Sequence, residues 1–457
     1  MQKSRQILVI ILLVMVLMLS VSCTNASNKA TTETVGQNEN ENVNVSVSVN
    51  ENGIDSNILA DISSDKMIET IKLLASTDNA RVTGFEGESS AASYIVDQFK
   101  GLGMTTEEQS FPVKAYAALN TALEIVSSDS QPIEEAKALS YSLGTSTEGI
   151  TAELVDVGLG ASEDYTDKDV TGKYVLISRG GEFFYLKADR AAQKGAAGVI
   201  FYDPASEGAI SATLTHLSKI PAVSIGLESA KSLIESLSSG EVVTMNLKME
   251  IVHKDATSVN ISSVYPSANN PEGKVVIVGA HYDGVDTPAA NDNASGASVI
   301  LEIARILNEN KVELPFDVKF VAFGAEEIGL VGSNYYTNHM KTDEKKAAIA
   351  MLNFDMVGVG DTYEISTAGG ADASDLVTIT TDTLKQMGLP STVSEKENSD
   401  HTNFSYTGIP AILIEAGPFH DYHTDKDTVE GIQTDVIKNS CELGLKLLIE
   451  GLPKQFK

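Results

Sequence analysis

Short apolar runs alternate with amphipathic segments along the second half of the chain, from about residue 258 onward. The apolar runs predict strands at residues 275–279, 318–323, 348–354 and 411–414, and the helical spacing of apolar residues predicts helices at 295–307, 376–387 and 429–449. Strands that alternate with helices favour an α/β fold, with a mixed, mostly parallel sheet flanked by helices. Such sheets bind ligands beyond the carboxyl ends of their strands, so the residues after each strand become candidates for function.

The first half of the chain has a different pattern. Apolar residues at helical spacing predict two amphipathic helices between residues 67 and 102, separated by a loop that contains Arg81. Residues 116–255 instead carry short β-branched runs with Gly and Pro between them. These runs predict strands at residues 174–178, 198–202 and 220–225, with a helix at 187–194. No group of His, Cys or carboxylate residues in this segment has the spacing of a site, so we interpret it as β-rich α+β structure without chemistry of its own.

The N-terminal residues have the order of a secretory signal. Lys3 and Arg5 precede an apolar run at residues 7–19, and small residues then lead to Cys23. The run is too short to span a bilayer comfortably. A cysteine after small residues resembles a bacterial lipobox, in which that cysteine is lipidated. We therefore predict a signal peptide at residues 1–23 and an exported protein anchored to the outer face of the bacterial cell membrane through Cys23, with cleavage and secretion as the alternative.

Composition predicts the state of the segment after the signal peptide and limits the partners of the whole chain. Residues 24–57 contain no aromatic residue and cannot bury enough apolar surface to offset the entropy of ordering, so we predict a disordered tether. The whole chain of 457 residues has 33 Lys and Arg against 63 Asp and Glu, a formal net charge of −30. Nucleic acid and an anionic membrane face both require clustered positive charge, so neither is an expected partner. If Cys23 is lipidated, Cys441 has no cysteine to pair with, and we interpret it as a packing residue.

Five groups of polar residues follow the predicted strands or lie in the loops after them. They are His281-Tyr-Asp283, Asn291-Asp-Asn-Ala-Ser-Gly296, Glu326-Glu327, Asp355, and the loop 420–424 with His423. Each group alone is weak, since an H-x-D or Glu-Glu pair is more often a surface or capping pair. Burying so many carboxylates at one edge of a sheet without a cation would be severely unfavourable, and a pair of metal ions removes that conflict. Imidazole and carboxylate ligands without thiolate suit zinc, cobalt or manganese at a catalytic site.

These motifs, in this order, resemble those of the M28 family of zinc aminopeptidases. The matching segments are residues 281–283, 291–296, 326–330, 332–333, 353–358, 399–404 and 423–428, together with the helices between 59 and 113. Residues 172–177 and 194–200 resemble the protease-associated (PA) domain that is often inserted in these enzymes. The resemblance implies a zinc-exopeptidase-like domain at residues 58–115 and 256–457, with the PA domain inserted at 116–255.

The resemblance also implies two Zn²⁺ ions as cofactors, with Co²⁺ or Mn²⁺ as alternatives. His281 and Asp355 would hold one ion, Glu327 and His423 would hold the other, and Asp292 would bridge the two. A bridging carboxylate holds two ions about 3.5–4 Å apart, which lets both ions polarise one water.

Neighbouring residues receive supporting roles. Adjacent side chains in extended backbone diverge, so if Glu327 is a ligand, Glu326 is free to act as the general base. Asp283 would accept the free N–H of the His281 imidazole. Asp427 would serve His423 or its loop in a similar way.

The resemblance places Asp400 and His401 near the site, where they would line the substrate pocket; a turn held by Asp400 is the alternative. His420 is either substrate-facing or solvated. Members of the family also carry a cis peptide bond after the bridging aspartate, which corresponds here to Asp292–Asn293.

The predicted function is a two-metal exopeptidase, an aminopeptidase that removes the N-terminal residue of peptide substrates. A carboxypeptidase of the same fold needs a basic group for the substrate carboxylate, and Arg81 is the candidate. A glutaminyl cyclase uses a similar scaffold with one zinc ion. A surface-anchored binding protein that has lost catalysis is the alternative from another class, although every ligand position is present in this chain.

Overall fold

The computed structural model of the protein describes residues 56–75, 80–126 and 131–455. All of them belong to the second of the two units into which the chain divides, Ser46–Lys457. The predicted signal peptide, Cys23 and nearly all of the predicted tether lie outside the described residues. The first helix begins at Ser56, so the last two residues of the segment predicted as a tether are helical. Within the described ranges, no helix is both long enough and apolar enough to cross a membrane.

The described residues contain both strands and helices throughout most of their length. The strands are β1 (Thr105–Ile125), β2 (Gln131–Ile133), β3 (Ala136–Ala138), β4 (Ile150–Asp156), β5 (Tyr174–Ser178), β6 (Gly198–Tyr202), β7 (Ala222–Ile225), β8 (Thr244–Tyr265), β9 (Val275–His281), β10 (Asp317–Phe323), β11 (Ala348–Phe354), β12 (Thr362–Thr367), β13 (Ser391–Glu395) and β14 (Ala411–Gly417). The helices are α1 (Ser56–Ala60), α2 (Ser64–Leu74), α3 (Glu86–Gly101), α4 (Phe184–Gln193), α5 (Leu227–Ser238), α6 (Gly296–Glu309), α7 (Val331–His339), α8 (Thr342–Ala347), α9 (Ser374–Gln386), α10 (His401–Tyr406), α11 (Thr434–Lys446) and α12 (Leu452–Gln455).

The central sheet confirms the predicted α/β class. Its order is β13-β12-β14-β11-β9-β10-β8, and the pairs β14–β11, β11–β9 and β9–β10 are parallel. Antiparallel pairs at β12–β14 and β10–β8 make the sheet mixed. Since the central strands run the same way, their carboxyl ends lie at one edge, where a ligand site is expected.

The strands β1 and β8 pair with each other in antiparallel fashion along nearly their whole length. They cross the predicted domain boundaries at residues 115 and 255, so the polypeptide enters and leaves the predicted insert on a continuous two-stranded ribbon. Residues 244–247, at the start of β8, pair with β4. The strands β5, β6 and β7 follow β4 in the sheet, and each pairs with its neighbour in parallel. The inserted segment is therefore joined to the rest of the chain by backbone hydrogen bonds between strands, and no exposed linker is needed.

The helix α6 forms the centre of the core on one face of the sheet. Most of its residues are buried, and it contacts β9 together with α2, α3 and α11. It begins directly after the loop that contains Asp292, so this buried helix fixes the position of the end of that loop.

Two sequence predictions differ from the structure. The helix predicted at residues 429–449 begins only at Thr434, because the preceding residues form a 3₁₀ turn and the N–H of Gln433 donates to the carbonyl of Gly358 over 2.9 Å. The strands β12 and β13 were not predicted. β13 is largely exposed and polar at the edge of the sheet, so it lacks the apolar run that marks the buried strands.

Candidate metal centre

Three neighbouring strands carry the candidate residues to the same edge of the sheet. His281 is the last residue of β9 and lies opposite Phe323, the last residue of β10. Asp355 follows β11 directly, and Glu326 and Glu327 follow β10 after a short turn. Parallel pairing therefore gathers residues that are up to 74 positions apart in the sequence, since the carboxyl ends of the strands coincide.

The five predicted ligands lie in one buried cluster. Nε2 of His281 is 3.2 Å from Oδ1 of Asp355 and 3.3 Å from Oδ1 of Asp292. Nε2 of His423 is 3.0 Å from Oδ2 of Asp292 and 3.0 Å from Oε2 of Glu327. Their side chains are at most 10% exposed. Asp292 thus stands between the two imidazoles and directs one carboxylate oxygen toward each.

The loop that carries Asp292 is held by Asp427. One carboxylate oxygen of Asp427 accepts the N–H of Asn291 over 2.7 Å, and the other accepts the N–H of Asp292 over 3.0 Å. The peptide bond between Asp292 and Asn293 is cis, as the resemblance implied. The sequence interpretation assigned Asp427 to His423 or its loop, and the structure corrects this partner: Asp427 supports the loop of Asp292 instead.

Asp283 is fully buried behind the cluster. Its Oδ1 is 3.6 Å from Nδ1 of His281, on the expected side of the ring but beyond hydrogen-bond distance. The same carboxylate accepts the hydroxyl of Thr83 over 2.9 Å and the N–H groups of Glu326 and Glu327 over 3.0 and 3.3 Å. Asp283 therefore also fixes the turn from which both glutamates extend, a role that the sequence did not indicate.

Asp355 has a hydrogen-bonded support of its own. The hydroxyl of Ser399 donates to Oδ2 of Asp355 over 2.7 Å, and the amide of Asn353 donates to that hydroxyl over 2.8 Å. These two hydrogen bonds occupy Oδ2 of Asp355 and leave its Oδ1 directed at His281. Ser399 belongs to a segment that carries the family resemblance, but nothing in its spacing indicated this contact.

His423 is supported from the inserted segment. Its Nδ1 lies 2.7 Å from the carbonyl oxygen of Ser211, and the N–H of Ser211 donates to the carbonyl of His423 over 2.8 Å. The ring of Tyr422 stacks on the His423 imidazole with centroids 3.7 Å apart. The expectation that residues 116–255 carry no chemistry is therefore incomplete, because a backbone group of that segment contacts a candidate ligand.

The cluster concentrates negative charge in a buried space. Burial, together with the charges of Glu327 and Asp355, holds the pKa of Glu326 well above its usual range, although His281 opposes this. Burial lowers the pKa of His423, but the carboxylates of Glu327 and Asp292 outweigh it and raise that pKa to about 10. Each shift has the sign expected where carboxylates crowd together, and a cation would relieve that repulsion.

The donor set fits a metal ion. The carbonyl of Ser211 can only accept, so Nδ1 of His423 carries the proton and Nε2 presents a lone pair in the neutral imidazole. That Nε2 makes no hydrogen bond, although two carboxylate oxygens lie 3.0 Å away. Ligand bonds of about 2.0 Å in a tetrahedron place neighbouring ligand atoms about 3.3 Å apart, which agrees with the nitrogen–oxygen distances around both imidazoles. Ligand atoms of His281, Asp292 and Glu327 also lie within 4.8 Å of one another, as do those of His281, Glu326 and Asp355.

The residues predicted to line the substrate pocket are buried instead. Asp400 and His401 have no exposed surface, and Nε2 of His401 lies 3.0 Å from the carbonyl of Lys396 in the same loop. Burial holds the pKa of His401 at about 4, so its ring is neutral. His401 thus supports its own loop, whereas the side chain of Asp400 does not cap the helix that follows it, so the alternative of a turn held by Asp400 is not supported by these contacts. His420, in contrast, is exposed and lines a cavity that Tyr422 also lines.

Arg81 is also unavailable to a substrate. It is 1% exposed, and its guanidinium donates to the carbonyls of Tyr282, Leu74, Pro288 and Ala289 over 2.6 to 3.3 Å. Three of these carbonyls belong to the segment between β9 and Asp292, and the fourth belongs to Leu74, the last residue of α2. The observation removes the one basic group that supported a carboxypeptidase.

Two cavities are lined by cluster residues or by their neighbours in the sequence. One has a volume of about 670 Å³ and is lined by Met356 and Tyr422, which are neighbours of Asp355 and His423 in the sequence. The other has a volume of about 680 Å³ and reaches Glu327. Residues of the inserted segment line both, including Arg179 in the first and Ser211 in the second. Volumes of this size accept several residues of a peptide rather than a single ion.

A buried set of imidazoles and carboxylates at the carboxyl edge of a parallel sheet, with a cavity that reaches Glu327, is typical of a hydrolase that works with divalent metal ions. Comparison with known families agrees with this class. Residues 260–448 match the model of peptidase family M28, and residues 150–233 match that of the PA domain.

Individual relatives extend the match over most of the chain. Aminopeptidase YwaD of Bacillus subtilis is 32% identical over 411 residues, which cover 85% of this chain and 85% of the relative. The solved structure of an aminopeptidase from Aneurinibacillus sp. strain AM-1 aligns at 32% identity with a TM-score of 0.70, over 87% of this chain and 96% of that one. The structure of BSAP, a zinc aminopeptidase from Bacillus subtilis, aligns at 30% identity with a TM-score of 0.70, over 85% and 95%. The chain belongs to peptidase family M28.

Proposed function

We propose that this M28 peptidase is a zinc aminopeptidase, which removes the N-terminal residue of a peptide with the help of two metal ions. The observation that carries the proposal is the position of Asp292, whose Oδ1 lies 3.3 Å from Nε2 of His281 and whose Oδ2 lies 3.0 Å from Nε2 of His423. One carboxylate oxygen toward each of two donor sets is the arrangement that a bridged pair of ions requires. Asp355 would be a further ligand of the ion held by His281, and Glu327 would be a further ligand of the ion held by His423.

Bound ions would lower the pKa of a water molecule and stabilise negative charge on the substrate carbonyl oxygen. The proton transfers belong to Glu326. Its side chain extends from the turn that Asp283 holds, and its carboxylate lies within 4.8 Å of the metal-binding atoms of His281 and Asp355. Glu326 would take a proton from the attacking water as the new C–O bond forms, and would deliver it to the amide nitrogen as the C–N bond breaks. The free amino acid and the shortened peptide leave, and no further reactant is consumed.

The basic group that the sequence offered for a substrate carboxylate does not face a substrate. The guanidinium of Arg81 is committed to backbone carbonyls, so it cannot pair with the C-terminal carboxylate that a carboxypeptidase must bind. This observation favours the aminopeptidase over a carboxypeptidase.

The proposal is tested with the full chain, stripped of metal by a chelator and re-supplied with Zn²⁺, Co²⁺ or Mn²⁺. The substrates are one peptide with a free amine, the same peptide N-acetylated, and a version that begins with glutamine. We expect two ions per chain at saturation, release of the first residue from free-amine peptides, and no cleavage of the acetylated one. Release of C-terminal residues, or ring closure of glutamine with loss of ammonia in place of hydrolysis, would contradict the proposal.

A further inference from the structure

The loop that carries His423 packs against the inserted segment. Ser211 contacts His423 twice, through its N–H to the His423 carbonyl and through its carbonyl to Nδ1 of the imidazole. In addition, Lys137 contacts Asp425 over 2.6 Å. The Cα hydrogen of Gly208 faces Thr424, since a Cβ built at Gly208 would lie 3.8 Å from the methyl group of Thr424. His423 and Thr424 therefore pack against residues 208–211 of the inserted segment.

The hydrogen bond to Nδ1 determines how the imidazole can act. A backbone carbonyl accepts but never donates, so its contact with Nδ1 keeps the proton there and leaves Nε2 free to bind a cation. The same contact sets the rotation of the ring. The partner of His423 is 212 positions away, in the segment that matches the PA domain.

The backbone of His423 also depends on this contact. Its φ angle is +59°, in the left-handed region that residues with a side chain adopt at a cost. The N–H of Ser211 donates to the carbonyl of His423 itself, which holds the peptide unit in this conformation. Surface ion pairs such as Lys426 with Glu207, 3.1 Å apart and more than half exposed, contribute little by comparison.

We propose that the inserted segment is part of the metal centre: the backbone of Ser211 positions His423, so that the packing of residues 208–211 controls the affinity of one of the two metal ions. The inference rests on the proposed function, because it assumes that His423 is a ligand. Ser211 is a positioning residue, since it contacts the ligand and not the ion. Separation of the inserted segment from the loop 422–425 lowers the affinity for the ion held by His423 and Glu327. The affinity for the ion held by His281 and Asp355 is unchanged.

Two pairs of variants in the full chain test this. Ser211→Pro removes the N–H that donates to His423, whereas Ser211→Ala retains both backbone groups. Gly208→Val adds methyl groups about 1.5 Å beyond Cβ, inside the space to Thr424, whereas the Cβ of Gly208→Ala makes only ordinary contacts of 3.6 Å or more. Zinc affinity is measured for each ion by competition with a chromogenic chelator, and the unfolding midpoint is recorded as a check on the fold.

We expect Ser211→Pro and Gly208→Val to bind one ion about 10–100-fold more weakly, the range found when the supporting partner of a ligand is changed. The alanine variants should bind both ions like the unaltered chain. Turnover lost by the proline and valine variants should return when free zinc is raised, which a general structural defect would not allow.

The inference is overturned if both disruptive variants fold and bind two ions with unaltered affinity, or if they lose both ions together. If Ser211→Pro does not fold, the comparison of Gly208→Val with Gly208→Ala decides alone. Failure of the proposed function would appear in the unaltered chain, as fewer than two ions or no cleavage of free-amine peptides. Failure of the present inference would appear only in the variants.

Discussion

Replacement of Arg81 tests the structure most directly, because the aminopeptidase and the carboxypeptidase predict opposite results. The guanidinium is completely enclosed and makes four hydrogen bonds, to the carbonyls of Leu74, Tyr282, Pro288 and Ala289. Burial is the main influence on its pKa and lowers it, while nearby carboxylates act in the other direction. Arg81→Met keeps much of the apolar volume and removes every donor.

The expected loss follows from these four bonds. A buried carbonyl left without a donor costs about 1–3 kcal/mol, and water from the adjoining cavity can reach the residues near Pro288. We therefore expect the free energy of unfolding to fall by about 4–6 kcal/mol, which is a large part of the roughly 5–15 kcal/mol that stabilises a typical domain. Arg81→Lys retains the charge and up to three donors, so its loss should be about half as large.

Chemical denaturation of the metal-loaded protein measures the stability, and the same preparations give kcat and KM for a free-amine peptide. The loop that Arg81 holds leads to Asp292, so the zinc affinity of Arg81→Met should fall together with its stability. A loss below about 1 kcal/mol, combined with a raised KM and intact zinc binding, would show that Arg81 contacts the substrate. That result would refute the buried role and restore the carboxypeptidase alternative.

Three further predictions concern single side chains. Glu326→Gln should retain both ions, as metal analysis would show, and should lower kcat by about 10²–10⁴-fold; full activity or lost metal would contradict its role as the base. Asp427→Asn retains an acceptor for only one of the N–H groups of Asn291 and Asp292, so zinc affinity should fall about 10–100-fold by chelator competition, and unchanged affinity would refute the support of that loop. Burial and a neighbouring aspartate raise the pKa of Glu88 from 4.5 to about 8, so the folded state holds this proton where the unfolded state has lost it. Stability should therefore decrease as the pH rises from about 5 to 8, more steeply than in Glu88→Gln, and equal slopes in denaturation curves would contradict the shift.

The sequence alone determined the class of fold and the identity of the candidate ligands. Short apolar runs mark buried parallel strands, and the residues after each run must meet at one edge of the sheet, because parallel strands share a direction. That rule is local, so it could be applied without coordinates to His281, Glu327 and Asp355, and to the loops with Asp292 and His423. The resemblance to a family then implied how these candidate ligands divide between two ions.

The tertiary structure decided which groups support those ligands. Asp427 bonds to the backbone 135 positions earlier, and Ser211 bonds to His423 through a carbonyl that every residue possesses, so no residue type or spacing announces either contact. The same limit explains why Arg81 was open to a substrate role until its burial was known. Hydrophobic periodicity reports which face of an element is buried, but the register and approach of distant segments depend on packing over the whole chain.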